Sequence, residues 1–155
     1  MPASPLTSVS ILTGFLGAGK TTLLNRLLAH PDLRDTAVLV NEFGAVAIDH
    51  HLVRQSSEDI AVLKNGCVCC SVAGELVNAL RSLYFQRAKG TIPAFERVVI
   101  ETTGLADPAP ILTSLIDLPL TAARYALSGV VCVVDAEHGS AHLDTHLESL
   151  RQVAM

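Results

Sequence analysis

The feature that most constrains the fold is a glycine-rich run near the N-terminus. Residues 14–21 read Gly-Phe-Leu-Gly-Ala-Gly-Lys-Thr and match the pattern G-x4-G-K-[ST]. A short β-prone run, 8–13, precedes it, and leucines at helical spacing follow it between 20 and 29. Such a turn between strand and helix surrounds a phosphate, because its glycines let consecutive backbone N–H groups point inward. The alternative is a glycine-rich turn with a chance Lys-Thr pair; we favour a phosphate loop.

The side chains at the end of this run have predicted roles of their own. The N-terminus of the following helix adds its positive dipole end to the backbone N–H groups. Lys20 supplies a point charge for the terminal phosphates and serves catalysis, and the Thr21 hydroxyl is the natural Mg²⁺ ligand. The predicted nucleotide-binding residues are Gly14, Phe15, Leu16, Gly17, Ala18, Gly19, Lys20, Thr21 and Thr22.

Apolar runs alternate with helical stripes along the rest of the chain. Strands are predicted at 37–40, 60–63, 97–100 and 130–134, and helices at about 76–84, 108–116 and from 137 onward. The polar, glycine-punctuated segment 41–52 is interpreted as a loop or switch. Half of the residues are apolar and 17% are charged, which suits a buried parallel sheet. The predicted fold class is α/β, a P-loop NTPase with three α/β/α layers and a mainly parallel sheet.

A second acidic position follows the predicted strand 97–100. Glu101 stands at the carboxyl end of that strand, where an open α/β sheet binds its ligands. Its carboxylate can hold Mg²⁺ directly or through water, which makes it a second magnesium and catalytic candidate. The backbone N–H of Gly104, in the turn after it, is a candidate contact for the γ-phosphate. The alternative is a glutamate that only caps the next turn.

Composition excludes several classes of partner. The net charge is −4 and aromatic residues are scarce, so nothing resembles the basic surface that binds nucleic acid. No apolar run approaches the roughly 18 residues that a membrane span needs. Residues 1–8 lack the basic start and apolar stretch of a secretory signal. We therefore expect a cytoplasmic protein without nucleic-acid or membrane partners.

Three of the four cysteines, Cys67, Cys69 and Cys70, lie within four positions. In a reducing cytosol such a cluster indicates a metal or redox site rather than a disulfide framework. Thiolates favour Zn²⁺ or Cu(I), and a closed zinc site needs four ligands. The candidates for the fourth position are Glu42, His50, His51, water and a residue of a client protein. Buried or redox-active cysteines without metal are the alternative; Cys132 is interpreted as a small core residue.

These motifs resemble those of the CobW-type P-loop GTPases, which act as metallochaperones. Four segments carry the resemblance in the family's order: 13–22, 41–44 (Asn-Glu-Phe-Gly), 66–70 (Gly-Cys-Val-Cys-Cys) and 101–108 (Glu-Thr-Thr-Gly-Leu-Ala-Asp-Pro). The resemblance implies GTP hydrolysis coupled to delivery of Zn²⁺, or a similar divalent metal, to a client protein. It also implies that 41–50 is a switch in which Glu42 and Asp49 position Mg²⁺ or water. The alternative is that both carboxylates are solvated loop residues.

The chain departs from the family's pattern in two ways. Ala45 stands where many relatives carry a carboxylate. Relatives also continue into a strand with an Asn/Thr-Lys-x-Asp element that reads guanine, and then into a C-terminal domain. The sequence of 155 residues stops before either, so we expect residues 1–155 to be the N-terminal part of a truncated GTPase domain. A missing strand would leave an apolar sheet edge, which predicts self-association.

Two other functions remain open on the sequence alone. One is a zinc-binding module, or a nucleotide-binding fragment, without turnover. The other is an ATP-using kinase built on the same loop, which gives no role to the three clustered cysteines. The spacing of three histidines is weaker evidence for a metal site: His138, His142 and His146 recur at helical spacing. That spacing can bind a metal ion, but we interpret these histidines as a solvated polar face.

Overall fold

The computed structural model describes residues 6–42, 45–48 and 72–155. The strands are β1 (Thr7–Thr13), β2 (Thr36–Glu42), β3 (Ala45–Ile48), β4 (Arg97–Thr102) and β5 (Tyr125–Cys132). The α-helices are α1 (Lys20–Leu28), α2 (Val72–Lys89), α3 (Ala109–Ile116), α4 (Pro119–Ala122), α5 (Gly139–Thr145) and α6 (Leu147–Val153). A single turn of 3₁₀ helix, Pro31–Leu33, connects α1 to β2.

The strands form one sheet in the order β3-β2-β4-β1-β5. The pairs β2–β4, β4–β1 and β1–β5 are parallel, and β3 runs antiparallel to β2 at one edge. The apolar residues of alternating positions pack on opposite faces of this sheet. Val9 and Ile11 pack with α2 and α3, whereas Leu12 and Val38 pack with Leu24 of α1. Helices on both faces of a mainly parallel sheet confirm the α/β class and its three layers.

Residues 41–52 were predicted to be a loop, and this prediction is wrong in part. Strand β2 continues to Glu42, and residues 45–48 return beside it as β3, with Leu39 paired to Ile48. Strand pairing uses backbone N–H and C=O groups, so the polar residues at 41 and 42 do not prevent it. The run Ala-Val-Ala-Ile is only four residues long and has polar residues near both ends, so the sequence pattern did not predict a strand there.

Other boundaries also differ from the sequence prediction: α2 extends over Val72–Lys89 and β4 continues to Thr102. Strand β5 begins at Tyr125, five residues earlier than predicted, since its first half pairs with β1 despite Ser128 and Gly129. The C-terminal segment is helical as predicted, but it forms two helices. His146 separates them with an extended backbone, ψ 116°. The predicted strand at 60–63 lies outside the described residues.

Tyr125 anchors the start of β5 and gives a testable stability effect. Its hydroxyl donates a 2.7 Å hydrogen bond to the Leu80 carbonyl, and its side chain is buried. Burial raises the pKa of Tyr125 to about 12 from the ordinary 10.0. The folded state therefore favours the neutral phenol, and this contribution is complete below pH 10 and is lost as the pH rises toward 12.

We expect Tyr125→Phe to lower the free energy of unfolding by about 0.5–1.5 kcal/mol at pH 7, because the hydrogen bond is lost. The variant should also lose less stability than the parent protein between pH 10 and pH 12. Urea unfolding at several pH values measures both effects. Parallel losses in the two proteins above pH 10 would contradict the role of this phenol.

Candidate functional site

The loop between β1 and α1 has the backbone of a phosphate loop. Gly14, Gly17 and Gly19 have φ values of 140°, 75° and 94°, which side chains disfavour. At Gly14 the space is also closed, since a Cβ there would overlap the Val133 carbonyl oxygen. The residue that follows β5 therefore packs directly against the start of the loop, and only glycine fits at position 14.

Lys20 begins α1 and folds its side chain back over the loop. Its ammonium donates to the carbonyl oxygens of Gly14, at 2.8 Å, and Phe15, at 3.1 Å. The side chain is buried, and burial lowers the pKa of Lys20 while the Glu101 carboxylate opposes that shift. The cation is therefore held inside the loop on two neutral acceptors. Phosphate oxygens carry charge and accept hydrogen bonds more strongly.

Thr21 and Glu101 come together beside Lys20. The Thr21 hydroxyl donates a 2.5 Å hydrogen bond to Oε1 of Glu101. Glu101 is 5% exposed and lies one residue before the end of β4, opposite Leu12 of β1, which brings its carboxylate to the mouth of the loop. A hydroxyl and a carboxylate are hard oxygen donors of the kind that Mg²⁺ prefers. The two residues thus fit a magnesium ion beside bound phosphate.

The turn that follows β4 lies against the phosphate loop. Gly104 is buried, and a Cβ there would lie 2.5 Å from the Leu16 backbone nitrogen and 2.6 Å from its Cα. Thr102 and Thr13, at the ends of neighbouring strands, also share a buried 3.0 Å hydrogen bond between their hydroxyls. The two loops predicted to contact the nucleotide are therefore in direct contact with each other.

Sequence reasoning missed one residue of this region, Gln152 of α6. Its side-chain amide donates to the carbonyl oxygens of Gly104 and Ala106, both at 3.1 Å. Next to it, Arg151 lies 3.4 Å from Asp107 in an exposed ion pair. No motif marks a glutamine in a polar C-terminal helix. Only the fold reveals that this helix reaches the turn after β4.

The placement of the three spaced histidines and Cys132 differs in part from the prediction. His138 and His146 are exposed, as expected for a solvated face, but the rings of His142 and His146 also contact Phe15 of the phosphate loop, with centroids 4.7 and 4.6 Å away. Cys132 is half-buried at the end of β5 rather than in the core, and burial raises the pKa of its thiol. Within the part of the chain that is described, no three metal-binding side chains converge on one point.

Several predicted residues cannot be located. Cys67, Cys69 and Cys70 lie outside the described residues, as do Asp49, His50 and His51. Glu42 ends β2, and only its backbone is described. The predicted zinc site therefore stays a prediction from the sequence. Among the helices that are described, none is long and apolar enough to cross a membrane.

Comparison with known proteins identifies the family to which the chain belongs. Residues 8–154 match the family model described as the CobW/HypB/UreG nucleotide-binding domain. The chain is 43% identical over 146 residues to the zinc chaperone YjiA of Escherichia coli, covering 94% of this chain and 46% of that protein. It is 36% identical over 139 residues to the zinc-regulated GTPase metalloprotein activator 1 of Schizosaccharomyces pombe, covering 84% and 32% respectively.

A solved structure has the same fold. The crystal structure of Zn(II)-bound YjiA GTPase from E. coli matches with a TM-score of 0.71 and 38% identity. The match covers 97% of this chain and 47% of that one. The chain thus spans less than half the length of the relatives it matches, so the activity of a whole relative is not carried over by the match alone.

Proposed function

Because the chain belongs to the CobW/HypB/UreG nucleotide-binding domain family, we propose that it binds GTP, hydrolyses it and transfers zinc to a client protein. The observation that carries the proposal is the contact between Thr21 and Glu101 beside the buried ammonium of Lys20. A cation, a hydroxyl and a carboxylate at one loop are what a nucleotide triphosphate with its magnesium ion requires. The names of the relatives, zinc chaperone and GTPase, supply the cargo and the nucleotide.

Lys20 and the loop backbone bind the phosphates in this proposal. The ammonium already lies at the loop and exchanges its two carbonyl acceptors for oxygens of the terminal phosphates. The backbone N–H groups of 14–22 surround the phosphate chain, and Thr21 and Glu101 hold Mg²⁺. When bound, the ion neutralises charge that develops on the phosphates. The N–H of Gly104 contacts the γ-phosphate from the turn after β4.

The zinc cargo is proposed to lie on Cys67, Cys69 and Cys70, with Glu42 as a candidate fourth ligand. Strand β2 supports this placement, because Val40 pairs with Glu101 and so Glu42 lies just beyond the magnesium side of the sheet. A shift of the segment 41–50, which includes the end of β2 and all of β3, in response to the γ-phosphate would then change access to the metal, and hydrolysis would reverse that shift. The metal-requiring client and the cytoplasmic location stay predictions from the sequence.

Phosphate release separates this proposal from its rivals. We expect the protein to release phosphate from GTP in the presence of Mg²⁺, and Glu101→Gln to reduce the rate strongly, because one oxygen ligand loses its charge. Glu96→Gln is the matched control, because Glu96 is exposed and precedes β4 at the amino end of the sheet, opposite the phosphate loop. Release from ATP but not GTP would favour an ATP-using enzyme built on the same loop. Release from neither, with zinc still bound, would favour a zinc-binding module.

A further inference from the structure

Helix α6 holds the turn after β4 through one buried side chain. Gln152 is 1% exposed, and its amide nitrogen donates to Gly104 and to Ala106 at 3.1 Å. Both acceptors are backbone carbonyls of the turn that the proposed function places at the γ-phosphate. The peptide groups of this turn are therefore oriented by a residue 46 to 48 positions away in sequence.

The turn is held from its other side by the phosphate loop. Gly104 fits against the Leu16 backbone with no room for a Cβ, and the Ala106 N–H closes the turn on the Thr103 carbonyl at 3.1 Å. Gln152 is therefore the third contact that fixes the turn, after Leu16 and the turn's own hydrogen bond. A turn held in this way already has its peptide orientation set before a ligand arrives, which lowers the entropic cost of binding.

Packing alone does not explain a glutamine at position 152. Among the described residues, its Oε1 has no hydrogen-bond partner, and neither has the Ser149 hydroxyl one turn earlier on α6. A buried polar atom without a partner destabilises a fold, whereas methionine would fill nearly the same volume without that cost. The donor function of the amide, rather than its bulk, accounts for a glutamine at this position.

We propose that Gln152 is a positioning residue for the γ-phosphate: it holds the carbonyl of the Gly104–Leu105 peptide and thereby fixes the backbone of Gly104, whose N–H contacts the γ-phosphate, so that the turn after β4 distinguishes GTP from GDP. The inference rests on the proposed function and deepens it, since it assigns a residue to nucleotide discrimination. Arg151 adds an ion pair to Asp107 in the same turn, but both side chains are substantially exposed, and such pairs contribute little.

The test is the ratio of two affinities in Gln152→Met. Affinities for a non-hydrolysable GTP analogue and for GDP are measured by competition with a fluorescent nucleotide, and thermal unfolding is followed in parallel. We expect the variant to bind the GTP analogue about threefold to tenfold more weakly and GDP within about twofold of the parent protein. Leu150→Ala shortens a half-exposed side chain on the same helix and should leave the ratio unchanged.

Gln152→Glu gives a second measurement if the methionine variant folds poorly. Its carboxylate keeps the shape but donates only when protonated, so its affinity for the GTP analogue should recover as the pH falls, relative to the parent protein. If the ratio of the affinities for the GTP analogue and for GDP is the same in both variants as in the parent protein, the inference is overturned. A parent protein that binds neither nucleotide would instead overturn the proposed function, and the inference with it.

Discussion

Lys20→Met is expected to abolish most nucleotide binding and turnover while leaving the protein folded. The ammonium is the only side-chain cation that the described loop residues 14–22 provide, and it lies within 3.1 Å of two loop carbonyls. Its loss should weaken GTP affinity by about 10- to 100-fold, as for a charge-assisted hydrogen bond, and turnover by about 100- to 1000-fold. Burial already lowers the pKa of Lys20, so the folded state gains little from its charge.

Isothermal titration with GTP and steady-state phosphate release measure these two losses. Lys89→Met, at the exposed end of α2, removes the same charge away from the loop and should change neither quantity. A Lys20→Met protein with the parent's affinity for GTP would show that the loop is only a tight turn. Loss of folding in this variant, seen by circular dichroism, would also contradict the role assigned to the ammonium.

Gly104→Ala is expected to have the second-largest effect, because two loops must separate to accommodate one methyl group. The new Cβ would lie 2.5 and 2.6 Å from backbone atoms of Leu16, which cannot move without shifting the phosphate loop. Overpacking of this kind costs about 1–3 kcal/mol in the free energy of unfolding. A displacement near 1 Å at a catalytic loop lowers turnover on the order of 100-fold.

Gly129→Ala is the matched control for this substitution. Gly129 lies in β5, and a Cβ there meets nothing within 4 Å, so the same methyl group should leave turnover and stability close to those of the parent protein. Phosphate release and urea unfolding are measured on both variants. Equal behaviour of the two alanine proteins would show that the contact between Gly104 and Leu16 has no part in catalysis.

The sequence predicted the parts of this site that depend on local pattern. The run from Gly14 to Thr21 requires its glycines for backbone reasons, and Glu101 lies at the carboxyl end of the apolar strand β4, which pairs in parallel with β1. Both therefore follow from residue type and strand order. The meeting of Thr21 with Glu101, 80 residues apart, was expected for the same reason.

Other features depend on long-range packing that no local pattern encodes. Gln152 has the sequence surroundings of an ordinary polar helix, and only the docking of α6 brings it to Gly104. Strand β3 is four residues long and forms because β2 offers a free edge for backbone pairing. The break at His146 turns the predicted single helix into two, and the exposed imidazole of His146 stacks on Phe15.

The most direct test of the central claim is the Zn²⁺ affinity of the protein with and without a non-hydrolysable GTP analogue. Competition with a chromophoric chelator gives both values, and Cys69→Ser is the control that removes one proposed thiolate. The account predicts that the nucleotide shifts the Zn²⁺ affinity of the parent protein and that the shift is absent in Cys69→Ser. Zn²⁺ binding that is identical with and without nucleotide would contradict a GTP-gated zinc carrier.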